Sequence, residues 1–211
     1  MLAPLTFAAL LTACAPSVSV DTMRAIVAVE SGGNPYAIHD NTTQQSYRPR
    51  SREQAKSLLV ALRSHNLDVG IAQVNAGWFP TFGVTAAEML EPCRNLRIGS
   101  VILERAYRDA DAAFAKPRVA LWHALSAYNT GSFYAGSNYV SAIVNAALSP
   151  PIVPSIALLT SSPADMVAAP PRRNTLMPSR VPTTAPLAAF HAHNRNERAA
   201  APAVTATIHQ L

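Results

Sequence analysis

The sequence predicts a mainly α-helical domain that carries a small β-hairpin, followed by a disordered Pro/Ala-rich tail. Three observations predict it. Between residues 14 and 147, apolar side chains recur at helical spacing inside segments bounded by capping residues, glycine or proline. The stretch LDVGIAQVN, residues 67–75, is too short and too β-branched for a helix and suits a strand or small hairpin. Composition then changes near residue 148: residues 148–211 hold 10 of the 17 prolines, 5 arginines, 2 acidic residues, a single aromatic (Phe190) and no glycine. Prolines at that density remove backbone donors, and so few large side chains cannot offset the entropy of ordering the chain.

At 211 residues the chain holds one ordinary domain with a remainder. Hydrophobic residues make up 49%, enough for a packed core, and charged residues only 14%. A net charge of +5 and a pI of about 9.6 point to an anionic partner, and cell wall, membrane surface and nucleic acid all qualify. The chain has no run of five basic residues and no interleaving of arginine with aromatics, which argues against nucleic acid.

The elements follow in order. The first 13 residues, MLAPLTFAALLTA, are apolar and end at Cys14. LTAC looks like a lipoprotein cleavage site and the run like a short export signal, although the basic n-region is missing and the run is too short to span a bilayer. Alternatively, Leu2, Leu5, Phe7 and Leu10 form the buried side of a first helix. Asp21 caps a helix beginning at Thr22, which Gly32-Gly33 ends and Asn34-Pro35 turns away. A second helix covers SREQAKSLLVALRSH, with Ser51 as cap and Leu58, Leu59 and Leu62 buried. A third runs from about Asn95 to Phe114, with Leu96, Ile98, Val101, Ile102 and Tyr107 apolar. A fourth starts at Pro117 and stops at Gly131, and a fifth covers YVSAIVNAAL. No other segment reaches transmembrane length without charges or prolines. HAHNRNER at 191–198 offers two histidines, too little for a metal site, and reads as solvated tail.

On the first capped helix Met23, Ile26 and Val27 stand at i, i+3 and i+4, and Glu30 at i+7 continues the same apolar stripe. Glu30 is then either a half-exposed last-turn residue or a carboxyl aimed into an apolar cleft. In the second case burial favours its protonated form, which is what a glycosidic leaving oxygen requires. Gln73 and Asn75 of GIAQVN fall on one face of an extended segment, with amides suited to sugar hydroxyl and acetamido groups. Tyr128 and Asn129 of AYNTG stand where a helix gives way to a loop, and Tyr139 opens the last helix; a tyrosine at a helix end is more often core filler.

The order of these motifs is more specific than any one of them. Glu-Ser with Gly-Asn-Pro, Gly-x-x-Gln, Ala-Tyr-Asn-x-Gly and Tyr-Val together resemble the soluble lytic transglycosylases, whose catalytic domain has an α+β lysozyme-like fold. CAPSVSVDTMRAIVAVESGGNPYAI, HDNTT, LDVGIAQVN, PCRNL and SAYNTG are similar to the transglycosylase subunit of type IV secretion and conjugation systems. The resemblance covers residues 14–147. It implies that Glu30 is the sole catalytic acid/base, that Gln73 lines the sugar cleft, that Tyr128 and Asn129 flank the carboxyl, and that Tyr139 brings a second ring to it. Ser31 of the Glu-Ser motif and Asn75 join the expected substrate-contacting set. So does His39, which stands nine residues after Glu30 where many of these enzymes have a sugar-holding serine.

The substrate implied is the β-1,4 bond between N-acetylmuramic acid and N-acetylglucosamine in peptidoglycan, cleaved with formation of a 1,6-anhydro end. Most glycosidases use two carboxylates, but no second motif carboxylate stands beside Glu30, and Asp40, the nearest, matches no assigned role. The resemblance implies no metal and no organic cofactor. The expected partners are peptidoglycan glycan strands and type IV secretion channel components, with no nucleic acid. The protein would act as a monomer in the periplasm, with membrane association left open. Because the similar subfamily carries cysteine at both places, a Cys14–Cys93 disulfide is the favoured pairing; lipidated Cys14 and two free thiols are the alternatives. Two rival functions are a goose-type lysozyme-like hydrolase and a non-catalytic wall-binding assembly factor of the secretion apparatus.

Overall fold

The computed structural model describes residues 6–149. The expectations for Leu2 and Leu5, for the tail from residue 150 onward and for HAHNRNER lie outside the described residues. Within them, seven α-helices surround a small antiparallel sheet: α1 (Phe7–Cys14), α2 (Val20–Glu30), β1 (Ile38–Asp40), β2 (Gln45–Tyr47), α3 (Arg52–Ala61), β3 (Leu67–Val69), β4 (Val74–Asn75), α4 (Phe79–Phe82), α5 (Pro92–Ala113), α6 (Pro117–Thr130) and α7 (Ser137–Leu148).

Local chemistry sets the helix ends. Thr6 caps α1, which buries Phe7, Leu11 and Cys14 and leaves Leu10 only partly covered. Ser19, not Asp21, caps α2: its hydroxyl accepts from the Thr22 N–H at 3.2 Å, and Asp21 moves into the first turn, where its charge complements the helix dipole and meets Arg24. The α2 stripe is as expected, with Met23, Ile26, Val27 and Glu30 all buried. Ser51 caps α3, but the helix ends at Ala61, and of Leu58, Leu59 and Leu62 only Leu59 is buried. The long helix α5 starts at Pro92, three residues before Asn95, because Glu91 accepts the N–H groups of Cys93 and Arg94 and proline suits the first helical position. Val101 and Tyr107 on it are half-buried. The α6 boundaries match the Pro117 and Gly131 signals, with Gly131 at φ 72°, and α7 opens two residues before Tyr139.

The hairpin expected in LDVGIAQVN is present as β3 and β4, but it forms half of a four-stranded sheet ordered β2-β1-β3-β4. His39 lies opposite Ser46 on one side and Asp68 on the other, and Asp68 lies opposite Asn75. That register sets Ser46, His39, Asp68 and Asn75 in one row on one face, because facing residues of neighbouring strands share a side. The strands β1 and β2 have three residues each. That length is too short to show a period of two, so the sequence pattern did not reveal them.

Two apolar clusters form the core. One joins α1, α2, α5, α6 and α7 through residues such as Leu11, Ile26, Leu103, Leu125 and Ile143. The other lies between the sheet, α3 and the opposite side of α5, through Ile38, Leu59, Val69, Phe79 and Ile102. Tyr128 packs against both. Cys14 and Cys93 are disulfide-bonded, tying α1 to the start of α5. No helix among the described residues is long and apolar enough to cross a membrane.

Candidate active site

Glu30 is the last residue of α2 and is only 3% exposed. A buried carboxyl needs hydrogen-bond partners, and Tyr139, in the first turn of α7, donates its hydroxyl to Glu30 Oε1 at 2.8 Å. Of the two readings open from the apolar stripe, the structure therefore has the buried carboxyl and not the half-exposed last-turn residue.

The turn after Glu30 is fixed on three sides. The Ser31 hydroxyl reaches the Ile71 carbonyl at 2.7 Å and also lies 3.2 Å from the Val27 carbonyl, while its oxygen accepts the Gly33 N–H. Arg48, just past β2, donates to the Ser31 carbonyl at 3.0 Å. A guanidinium at a helix C-terminus satisfies a carbonyl left without an intrahelical partner and complements the negative end of the dipole. Ser31 thus joins the acid's helix to the β3–β4 turn through bonds within the protein.

That turn, residues 70–73, is clamped onto α5. Asn95 donates to the carbonyls of Val69 and Met89 at 2.7 and 3.0 Å and accepts the Ala72 N–H at 2.8 Å. Tyr128 adds a bond from α6, its hydroxyl donating to the Ala72 carbonyl at 2.8 Å. Gln73 lies in the turn, with φ 49°, rather than on an extended segment. Its carboxamide nitrogen donates to the carbonyls of Ala37 and Gly70 at 2.9 and 2.8 Å, so its carbonyl oxygen is the end it can present to a ligand. The left-handed backbone is unfavourable for a residue other than glycine, and these two bonds hold Gln73 in it.

Asn75 does not share a face with Gln73. Its nitrogen donates to Asp68 and Asn66 at 2.8 and 3.0 Å and its oxygen accepts the Gly77 N–H, capping the 3₁₀ turn Ala76–Trp78. All its polar groups have protein partners, which marks it as a brace of the sheet. His39 is 3% exposed in β1, with Nδ1 2.9 Å from the Ser46 hydroxyl. Asp40, which matched no assigned role, is fully buried. Burial pushes its carboxyl up, but the Thr43 hydroxyl, the His65 ring and the N–H groups of Thr42 and Thr43 outweigh that and hold it down at about 2. It closes the β1–β2 connection. Asn129, near the end of α6, is 8% exposed, and its carboxamide makes no hydrogen bond among the described residues.

The structure thus brings Glu30 and Tyr139 into contact and packs Ser31, Gln73 and Tyr128 around the turn beside α2. Sequence reasoning missed Arg48 and Asn95. Asn95 carried a signal, being a polar residue on the apolar side of a long helix; Arg48 carried none. A shallow pocket lined by Phe82, Val84, Arg94, Arg97 and Ile98, among others, lies at the start of α5 and shares no residue with this set. Among the described residues no group of three or more His, Cys, Asp or Glu is placed to hold a metal ion.

The family described as Transglycosylase SLT domain matches residues 9–140. A protein virB1 of Agrobacterium fabrum (strain C58) is 37% identical over 145 residues, covering 66% of this chain and 59% of that protein. The type IV secretion system protein virB1 of Brucella abortus biovar 1 is 37% identical over 180 residues, 79% of this chain and 76% of the relative. That of Brucella suis biovar 1 is 41% identical over 133 residues, 62% and 56% respectively. The chain therefore spans less than two thirds of the Agrobacterium and Brucella suis relatives. No solved structure is a significant match.

Proposed function

The chain belongs to the Transglycosylase SLT domain family, and from that membership we propose that it is a peptidoglycan lytic transglycosylase. It would open the cell wall locally for a type IV secretion or conjugation apparatus, as the likeness to virB1 of Brucella abortus, a type IV secretion system protein by name, suggests. The periplasm is where that substrate lies. The observation that carries the reading is the contact of the buried Glu30 carboxyl with the Tyr139 hydroxyl.

The scissile bond is the β-1,4 link from N-acetylmuramic acid to N-acetylglucosamine. Protonated Glu30 gives its proton to the leaving oxygen as the bond to the anomeric carbon breaks, and the sugar's own acetamido oxygen stabilises that carbon. Glu30, now a carboxylate, takes the proton from the 6-hydroxyl, whose oxygen closes onto the anomeric carbon. The products are a free 4-hydroxyl and a 1,6-anhydro end, with no water consumed and Glu30 protonated again. One carboxyl serves as acid and then base, so no second carboxylate is needed, in contrast to hydrolysis. The Tyr139 hydroxyl orients Glu30 and stabilises its carboxylate stage. Asn129, whose carboxamide makes no hydrogen bond among the described residues, and the Gln73 carbonyl orient the sugar, a positioning role. Ser31 and Tyr128 act through the turn they hold.

Purified sacculi digested with the wild type and with Glu30→Gln, followed by mass spectrometry of the muropeptides, test this. Products one water lighter than hydrolytic ones, absent with the variant, are expected. Reducing ends from the wild type would replace the reading with a lysozyme-like hydrolase, and no cleavage by folded wild type would favour a wall-binding assembly factor.

A further inference from the structure

The connection between α6 and α7, residues 131–136, joins Asn129 to Tyr139 and is braced along its length. The Ser126 hydroxyl donates to the Ser132 carbonyl at 2.7 Å and accepts the Gly136 N–H at 2.9 Å. Thr130 donates to the Ser126 carbonyl at 2.8 Å and accepts the Ser132 N–H. The Phe133 carbonyl lies 2.8 Å from His123 Nδ1 on α6. On this fixed loop Tyr134 stands 74% exposed.

Its ring is supported from the side. His123, Phe114 and Phe133 meet it at interplanar angles of 69°, 77° and 84°, with centroids 5.3, 6.4 and 6.5 Å away, and Phe114 stacks on His123 at 3.8 Å. Edge-to-face packing of this kind fixes an aromatic ring without covering it. A ring immobilised in advance loses little entropy when a ligand settles on it. A single exposed aromatic residue needs no explanation. A braced and buttressed one, in the connection between two residues of the candidate site, does.

From these observations we infer that Tyr134 is a glycan-contacting residue, whose ring takes the C–H face of a saccharide beyond the two sugars of the scissile bond. Pyranose rings expose axial C–H groups on one face, and that face packs on an aromatic ring as apolar surface while the equatorial hydroxyls stay in water. The inference rests on the transglycosylase reading and extends its cleft along the α6–α7 loop.

The test measures binding, so that turnover does not enter. In the full chain carrying Glu30→Gln, peptide-free glycan strands of defined length, from the disaccharide up to about eight sugars, are titrated by calorimetry. Adding Tyr134→Ala is expected to weaken binding of the long strands about three- to tenfold, the worth of one ring contact, and to leave the disaccharide unchanged. Tyr134→Phe keeps the parent affinity, because the contact needs the ring and not the hydroxyl. Trp122→Ala, which removes a ring 45% exposed on α6 outside the loop, also binds as the parent does. Parent-like binding of every length by Tyr134→Ala would overturn the inference alone, as would equal weakening at every length or by Trp122→Ala. A parent protein that binds no glycan at all would instead remove the transglycosylase reading itself.

Discussion

Tyr139 donates its hydroxyl to Glu30 Oε1 at 2.8 Å, joining the first turn of α7 to the last turn of α2 across 109 residues of sequence. Both side chains are buried, at 4% and 3% exposure. In such a setting a hydrogen bond fixes the direction of the carboxyl, and its loss takes a partner from a buried polar group. Tyr139→Phe keeps the ring and removes the hydroxyl that reaches Glu30. Under the proposed reaction, muropeptide release should fall about 10- to 100-fold, and the unfolding free energy by about 1–3 kcal/mol. Unchanged turnover would remove Tyr139 from the machinery.

Gly70 and Gly131 both have positive φ, 88° and 72°, so alanine is strained at either. Their surroundings separate them. A Cβ on Gly70 would fall 2.2 Å from Asn95 Nδ2 and 2.3 Å from the Met89 carbonyl oxygen, whereas one on Gly131 meets nothing within 4 Å. Gly131→Ala should therefore cost about 1 kcal/mol in a urea titration. Gly70→Ala should cost about 3 kcal/mol or more, since it also breaks the Asn95 clamp. Equal costs would show that the turn at 70–73 yields freely.

These two turns also show what the sequence displays. Caps and stops chosen by single residues, such as Ser51, Pro117 and Gly131, are visible because their chemistry is local. The placement of Glu30 was visible because an i, i+3, i+4, i+7 stripe needs one helix only. Asn75 and Gln73 failed together: alternation assigns a common face to an extended segment, but Gly70 and Gln73 adopt left-handed conformations and turn the chain between them. Arg48 acts on Ser31 from 17 residues away through a side chain of no special pattern, and β1 and β2 are too short to carry a period. What depends on pairing between distant segments is absent from a one-dimensional pattern.

The Cys14–Cys93 bridge closes a loop of 79 residues between α1 and α5. Restricting the unfolded chain to that extent contributes roughly 4 kcal/mol in the chain-entropy account. Cys14→Ser with Cys93→Ser should lower the stability by an amount of that order. Adding a reductant should shift the thermal midpoint of the wild type but not of the double variant. Coincident unfolding curves for wild type and variant would mean that packing of Phe7 and Leu11 on the core holds α1 in place without the bridge.

Asp40 accepts hydrogen bonds from Thr43 Oγ1 at 2.6 Å, His65 Nδ1 at 2.7 Å and the backbone of Thr42 at 2.8 Å. These outweigh burial and hold its carboxyl at about 2, against an ordinary value of 3.8. A group depressed on folding contributes stability that is complete above its ordinary value and is lost as the pH falls through the folded one. The window is therefore between pH 4 and pH 2, and the sign is destabilisation by acid, of about 2 kcal/mol. Asp40→Asn should be less stable than wild type at pH 6, having lost acceptors for Thr43 and His65, and should have a flatter acid limb. Urea midpoints measured from pH 6 to pH 2 read both effects, because the remaining carboxylates are common to the two proteins and cancel in the comparison. Parallel acid limbs would show that Asp40 does not retain its charge in the folded protein, and the β1–β2 connection would then be held by neutral hydrogen bonds alone.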